Sequence, residues 1–163
     1  MAESGDPARA PVIIGAAVAQ DVPVIAALIA TLFEIEADFA ASPSVQARAL
    51  QLLLARPRTV ARVAVARSGE RIVGTASVQL VVSTSEGALS AWIEEVFVDP
   101  AWRGCNIGRR LLDDLLLWAR RHGATRAQLL IDLDNAPAEA FYARLGWSSS
   151  RLGVRRLMLT SEC

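Results

Sequence analysis

Residues 94–112 read EEVFVDPAWRGCNIGRRLL. A strand-like run breaks at Pro100, passes through a loop of small and polar residues, and enters a helix that opens with Arg109 and Arg110. The first N–H groups of a helix have no intrahelical partners and carry partial positive charge. A loop of small residues before them lets an anion come within hydrogen-bonding distance of the backbone. Gly104 and Gly108 have no Cβ, Asn106 is among the few other residues that tolerate left-handed backbone angles, and Arg103 and Arg109 add charge on either side. The stretch is built for phosphate, most simply a pyrophosphate, although the same glycines would also serve a plain strand-to-helix turn.

Other phosphate loops fit worse. A dinucleotide fold places G-x-G-x-x-G after its first strand, whereas here the spacing is G-x-x-x-G and several strands come first. All 17 basic residues are arginine, which excludes a Walker A lysine, a kinase lysine, a Schiff base and a lysine nucleophile. One histidine and two cysteines show no metal-ligand spacing, so no metal is expected. The cysteines form no disulfide framework, which suits a reducing cytoplasm. The formal net charge is zero, without a basic block, and argues against a nucleic-acid partner.

With 163 residues, 53% of them hydrophobic, the chain suits one domain over residues 11–163 behind a flexible stretch at 1–10; a chain of this size buries ~70% of its unfolded surface. The apolar stretch Ala10–Phe33 is interrupted by Asp21 and Pro23 and lacks a cleavage pattern, so it reads as neither signal nor membrane span.

The rest of the chain is punctuated clearly. PVIIGAAVAQD reads as a short buried strand, after which Asp21 caps a helix with Ile25, Leu28, Ile29 and Leu32 at helical spacing. The acidic EIEADFAASPS precedes a second helix, SVQARALQLLLA, closed by Arg56 and Pro57. TVARVAVA and IVGTASVQLVV form a hairpin about RSGER, and AWIEEVFVDP is the next strand. In residues 107–122, Ile107, Leu111, Leu112, Leu115 and Ala119 share one stripe, with Arg109–Asp113 and Arg110–Asp114 able to pair outside it. His122 beside Gly123 reads as a solvated cation at the helix end. RAQLLIDLD is a buried strand, Asn135 caps a short helix with Pro137 near its start and Gly146 past its end, and SSSRLGVRRLMLT ends the chain as a strand or hairpin. The order β-α-α-β-β-β-α-β-α-β describes an α/β (α+β) fold, a mixed sheet covered by helices.

VDPAWRGCNIGRRLL resembles the acetyl-CoA pyrophosphate loop of the GCN5-related N-acetyltransferases (GNAT), Gln/Arg-x-x-Gly-x-Gly/Ala, with Arg103 first, Gly108 last and Asn106 in place of the middle glycine. DNAPAEAFYARLGW resembles the family's Asn-x-x-Ala-x-x-Phe-Tyr-x-x-Leu-Gly-Phe segment. The resemblance covers about residues 11–160 and implies a mostly antiparallel mixed sheet and acetyl transfer from acetyl-CoA to an amine. By this resemblance the backbone of Val96 and Val98 pairs with the pantetheine arm, and Gly104, Cys105, Asn106, Ile107, Gly108 and Arg109 hold the pyrophosphate with Arg103. Asn135 binds near the thiol end and Tyr142 protonates the leaving thiolate. Tyr142 is the only tyrosine, and core packing beside Phe141 is its other reading.

IEEVFV resembles the LEDFFV type of segment in diamine acetyltransferases, which makes Glu94 the base, acting through water, and Glu95 an amine contact. Adjacent positions on a strand send Glu94 and Glu95 to opposite faces, and structural pairing with arginines is the alternative. Glu34, Glu36 and Asp38 would favour a small cationic amine, or form a solvated acidic face. With Cys105 at the pyrophosphate end, no cysteine is positioned for a covalent acetyl intermediate, so transfer is direct within a ternary complex. The alternatives are a protein N-terminal or lysine acetyltransferase and a non-catalytic CoA-binding module. The apolar RLML end permits a homodimer.

Overall fold

The Gly69 turn and the alternating residues on either side of it organise the sheet. In the computed structural model, which describes residues 10–34 and 41–159, β2 (Ala61–Ser68) and β3 (Arg71–Ser83) form the expected antiparallel hairpin, with Ser68 opposite Arg71 and Gly69 at φ 59°. β1 (Val12–Ala16) adds antiparallel to β2, and β4 (Ala88–Val98) adds antiparallel to β3. β5 (Ala124–Leu129) lies parallel to β4, giving the order β1-β2-β3-β4-β5. α1 (Val22–Phe33), α2 (Pro43–Ala55) and α3 (Ile107–Arg121) come from the expected stretches.

The sheet is buried on both faces, which is why β2 and β3 read as nearly continuous apolar runs. On one face Val63 and Val65 join Val22, Ile25, Ala26, Ile29 and Leu50 of α1 and α2. The opposite face takes α3, whose stripe of Ile107, Leu111, Leu112, Leu115 and Ala119 is buried as its spacing predicts. Gly74 of β3 is what lets α3 approach: a Cβ there would lie 3.0 Å from the Phe97 carbonyl oxygen, 3.3 Å from Leu111 and 3.4 Å from Ile107.

The polar groups of α3 differ in part from expectation. Arg109 does meet Asp113, at 3.6 Å across exposed side chains, a contact worth little. Arg110 does not pair with Asp114; it donates to the Val12 carbonyl at 2.8 Å, while Asp114 accepts two bonds from Arg62 at 2.8 and 3.0 Å. Both groups are drawn to the sheet because α3 rests there, and the fork of Arg62 matches a carboxylate in a way a helical neighbour cannot. His122, half-buried at the end of α3, is engaged by its own helix. Its Nδ1 donates to the Trp118 carbonyl at 2.8 Å and its ring packs on Trp118 at 4.5 Å.

Asp21 stands at the N-cap position of α1 as expected, but its side chain makes no capping bond to that helix. It closes a 3₁₀ turn (Ala19–Asp21), accepting from the Val18 N–H at 2.9 Å and from the Arg67 guanidinium. Burial alone would raise its carboxyl pKa; the Arg67 hydrogen bond, the Val18 N–H and the Arg67 charge together hold it below the ordinary value.

Among the described residues β1 and β5 are edge strands rather than buried ones, and Ile13 is 68% exposed. Residues 148–159 form no strand, and Leu152, Leu157, Met158 and Leu159 are exposed. A strand exists only through a partner's backbone, and no described strand pairs with this segment. The chain falls into two units, one running to Leu130 and one from Ile131. The second holds α4 (Ala136–Arg144), capped by Asn135 Oδ1 accepting from the Ala138 N–H at 3.1 Å and ended by Gly146 at φ 86°. No helix among the described residues is long and apolar enough to cross a membrane.

Candidate active site

β4 and β5 pair only from Leu89–Ala124 to Ile93–Leu129; beyond Ile93, β4 continues to Val98 without β5. The parting coincides with a bulge. Ser77 faces Glu94 and Thr75 faces Phe97, so β4 spends one residue more than β3 between the two pairs. Glu95 takes up the excess at φ 49°, in the left-handed region.

The bulge corrects the reading that Glu94 and Glu95 point to opposite faces. Ser77 and its cross-strand partners Val63 and Glu94 share the face covered by α1 and α2. The carboxylate of Glu95 arrives at the same point, its Oε2 accepting from the Ser77 hydroxyl at 2.8 Å. Of the alternative that one or both acids pair with arginines, nothing is seen at Glu94, whose carboxylate has no ion pair among the described residues. Ser77 escapes sequence reading because one serine within a buried strand signals nothing until the register is known.

Past the bulge, the Asp99 N–H donates to the Val73 carbonyl at 2.9 Å. Alternation then turns the Val98 backbone groups to the opposite edge, the one β5 leaves open. The Val98 carbonyl accepts from Arg103 Nε at 3.1 Å, and the guanidinium lies 5.5 Å from the Phe97 ring centroid. Arg103 thus ties the loop to the end of β4 as well as carrying charge. The junction is pinned further by buried Trp102, by the Asp99 carboxylate accepting from the Ala101 N–H at 2.9 Å, and by an Arg71–Asp99 pair at 2.8 Å.

The loop then delivers the chain to α3 in a form suited to anions. Asn106 sits at φ 60°, ψ 14°, the left-handed conformation its side chain tolerates, and Gly104 at φ 78°. Asn106 places no side-chain cap on the helix, and the first turn holds no acidic residue. The first helical bond runs from the Arg110 N–H to the Asn106 carbonyl at 3.2 Å, so the N–H groups of Ile107, Gly108 and Arg109 precede the ladder and face outward from its end. Gly104, Cys105, Asn106 and Arg109 are exposed there. Fifteen residues of aligned peptide dipole stand behind these donors, with Arg120 and Arg121 in the last turn. The donor set, backbone N–H groups with guanidinium on both sides, fits a pyrophosphate.

The acetyltransferase (GNAT) family model matches residues 28–147, most of the chain. This chain belongs to the GNAT acetyltransferase family. Relatives of this chain include the N-alpha-acetyltransferase RimI of Mycobacterium tuberculosis, 38% identical over 91 residues, which are 56% of this chain and 53% of that protein. Glucosamine 6-phosphate N-acetyltransferase of Trypanosoma brucei brucei is 33% identical over 86 residues, 52% of this chain and 56% of that protein. The chain thus spans little more than half the length of these curated relatives. Among solved structures, a protein described as a transcriptional regulator from Bacillus halodurans C-125 superposes with TM-score 0.79 at 26% identity, covering 91% of this chain and 100% of that one. A possible acetyltransferase from Clostridium difficile 630 shares the fold at TM-score 0.79 and 18% identity, covering 91% and 98%.

The second GNAT motif lies in the other unit. Asn135 spends its Oδ1 on the α4 cap, which leaves its side-chain NH₂ to donate. Tyr142 meets Phe141 edge-on at 5.1 Å and Trp147 at 5.8 Å, and the Trp147 N–H donates to its carbonyl at 3.1 Å. Glu34 is exposed just past α1, while Glu36 and Asp38 lie outside the described residues. No cluster of three or more metal-ligating side chains occurs among the described residues.

Proposed function

We propose that this protein transfers the acetyl group of acetyl-CoA to a primary amine, directly and within a ternary complex. The observation that carries the reading is the parting of β4 from β5 at the Glu95 bulge, followed within the same chain segment by an uncapped α3 N-terminus. Strand-edge groups at Val96 and Val98 suit the amides of a pantetheine arm, and the N–H groups of 104–109 suit the pyrophosphate. In the reaction the cationic amine loses one proton to free its lone pair, which attacks the thioester carbonyl carbon. The carbon–sulfur bond then breaks and the nitrogen gives up a second proton, matching the one the thiolate receives. Glu94 takes the amine proton through water, a β4 N–H at Val98 or beside it polarises the carbonyl, and Tyr142 gives a proton to the thiolate. The roles of Tyr142 and of the Asn135 amide, near the thiol, rest on the family motif.

A small cationic acceptor is the favoured substrate class. Its support is the convergence of Glu94 and Glu95 on the α1–α2 face, with Glu34 at the end of α1. A peptide N-terminus is the second reading, favoured by the likeness to RimI. The proposal includes a cytoplasmic enzyme, consistent with exposed Cys105 as a free thiol, and a homodimer in which a second copy covers exposed Leu157, Met158 and Leu159.

The test is thiol release from acetyl-CoA against polyamines, amino acids, amino-sugar phosphates and short peptides, with Tyr142→Phe in parallel. One amine class is expected to drive turnover in the wild type, and Tyr142→Phe to lose most of it. Coenzyme binding with no thiol release from any amine would instead favour a coenzyme-binding module.

A further inference from the structure

We propose that Ser77 is a positioning residue for this site, a latch that fixes the β4 bulge by holding the carboxylate of Glu95 to β3. The functional part of this inference rests on the acetyl-transfer reading above.

A left-handed backbone is costly for any residue with a Cβ, and bulges that need it usually take glycine. Here the position is Glu95, at φ 49°. Something must over-determine that conformation, and the neighbouring strand supplies it. Ser77 is 3% exposed, and its hydroxyl lies 2.8 Å from Glu95 Oε2 and 3.4 Å from the Glu94 carbonyl oxygen. A hydroxyl has one proton to donate, and the shorter contact to a charged acceptor is the stronger bond. The latch therefore closes on the bulged residue itself and brings Ser77 beside the carbonyl just before it.

The consequence is a division of labour between two adjacent acids. Glu95 is held by β3 and shapes the backbone on which Val96 and Val98 present their edge groups. Glu94, directly opposite Ser77 in the register, has no ion-pair partner among the described residues and remains available to an incoming amine. Ser77 touches no reacting atom in this scheme. It acts through Glu95, which separates it from a merely structural core residue and makes the two separable by experiment.

Four variants test it: Ser77→Ala, Ser77→Thr, Glu95→Gly and Glu95→Ala, with kcat, KM for acetyl-CoA, and hydrogen exchange across residues 94–98. If the whole worth of a hydrogen bond to a charged group is expressed at the reacting atoms, its loss corresponds to roughly tenfold to a hundredfold in rate. Ser77→Ala is expected to lower kcat by that much with KM for acetyl-CoA within about threefold, since the pyrophosphate donors are untouched. Ser77→Thr keeps the hydroxyl and restores most of the rate. Glu95→Gly, which adopts φ 49° unaided, retains more activity than Glu95→Ala, and Ser77→Ala added to Glu95→Gly causes no further loss. An equal loss from Ser77→Ala with or without Glu95 would overturn the proposal, as would equal activities for Glu95→Gly and Glu95→Ala. If the wild type turns over no amine, the acetyl-transfer reading fails, and the latch is still decided by exchange. Ser77→Ala must speed exchange at 94–98; unchanged protection there refutes it.

Discussion

Gly74→Ala tests how tightly α3 is held to the sheet behind the anion site. The added Cβ would sit 3.0 Å from the Phe97 carbonyl oxygen, where carbon–oxygen contacts ordinarily lie at about 3.3–3.6 Å. The same methyl would meet Leu111 at 3.3 Å and Ile107 at 3.4 Å, inside the optimum of about 3.5–4.0 Å for carbon pairs. All three neighbours are fixed. One is strand backbone, and both side chains are at most 2% exposed. Overpacking of this kind costs about 1–3 kcal/mol, against about 0.4–1 kcal/mol regained from a stiffer unfolded chain. The midpoints of these ranges leave a net loss of about 1.3 kcal/mol, a Tm lowered by roughly 3–5 °C for a chain of this size. Ile107 is the first residue of α3, so relief of the clash moves the donor turn, and coenzyme A affinity should fall with Tm. The assay is thermal unfolding by circular dichroism with coenzyme A titration calorimetry on the same samples. Gly15→Ala is the control: nothing lies within 4 Å of its Cβ, and Tm should hold or rise. A Gly74→Ala protein as stable as the wild type would refute the packing argument.

Three further outcomes are expected. Arg67→Leu leaves the Asp21 carboxylate buried with the Val18 N–H but no cation, at a cost of about 2–3 kcal/mol at neutral pH, toward the low end for broken ion pairs because Arg67 is partly exposed. Because the Asp21 pKa is depressed in the folded protein, its stabilisation is full above the unfolded value and is lost as pH falls through the folded one. Urea unfolding should therefore show the gap between wild type and Arg67→Leu closing below about pH 4; a gap independent of pH would refute the pairing. Asn106→Gly should bind coenzyme A within about twofold of wild type, while Asn106→Val should lose about tenfold or more, because a β-branched residue is strained at φ 60°; equal affinities for Gly and Val would remove the left-handed turn from the argument. Asp114→Leu should cost about 1–3 kcal/mol in urea unfolding by stranding Arg62, whereas Asp113→Leu, at an exposed contact, should cost under about 0.5 kcal/mol.

What the chain states locally, it states well. The α3 stripe follows from apolar spacing, and the Asn106 turn follows from the residue's tolerance of positive φ. The Asn135 cap with Gly146 follows from hydrogen-bonding chemistry that acts within a few residues. Two motifs in order were enough to identify the GNAT family. These features depend on nearest neighbours along the chain, so they are legible in it.

The remainder depends on register and on partners remote in sequence. Alternation along an isolated strand sends Glu94 and Glu95 to opposite faces, and only pairing with β3 inserts the bulge that brings both to Ser77. Arg110 and Asp114 are ideal helical neighbours, yet each finds a partner on the sheet because α3 packs there. Asp21 has the composition of a helix cap, but Arg67, brought beside it by the β1–β2 pairing, takes its carboxylate. The stretch ending in RLML has the pattern of a strand, yet residues 148–159 form none, because a strand needs a partner's backbone. Short-range propensity decides which elements form. Which polar groups meet, and therefore where the chemistry of this site lies, is decided by how the strands pair.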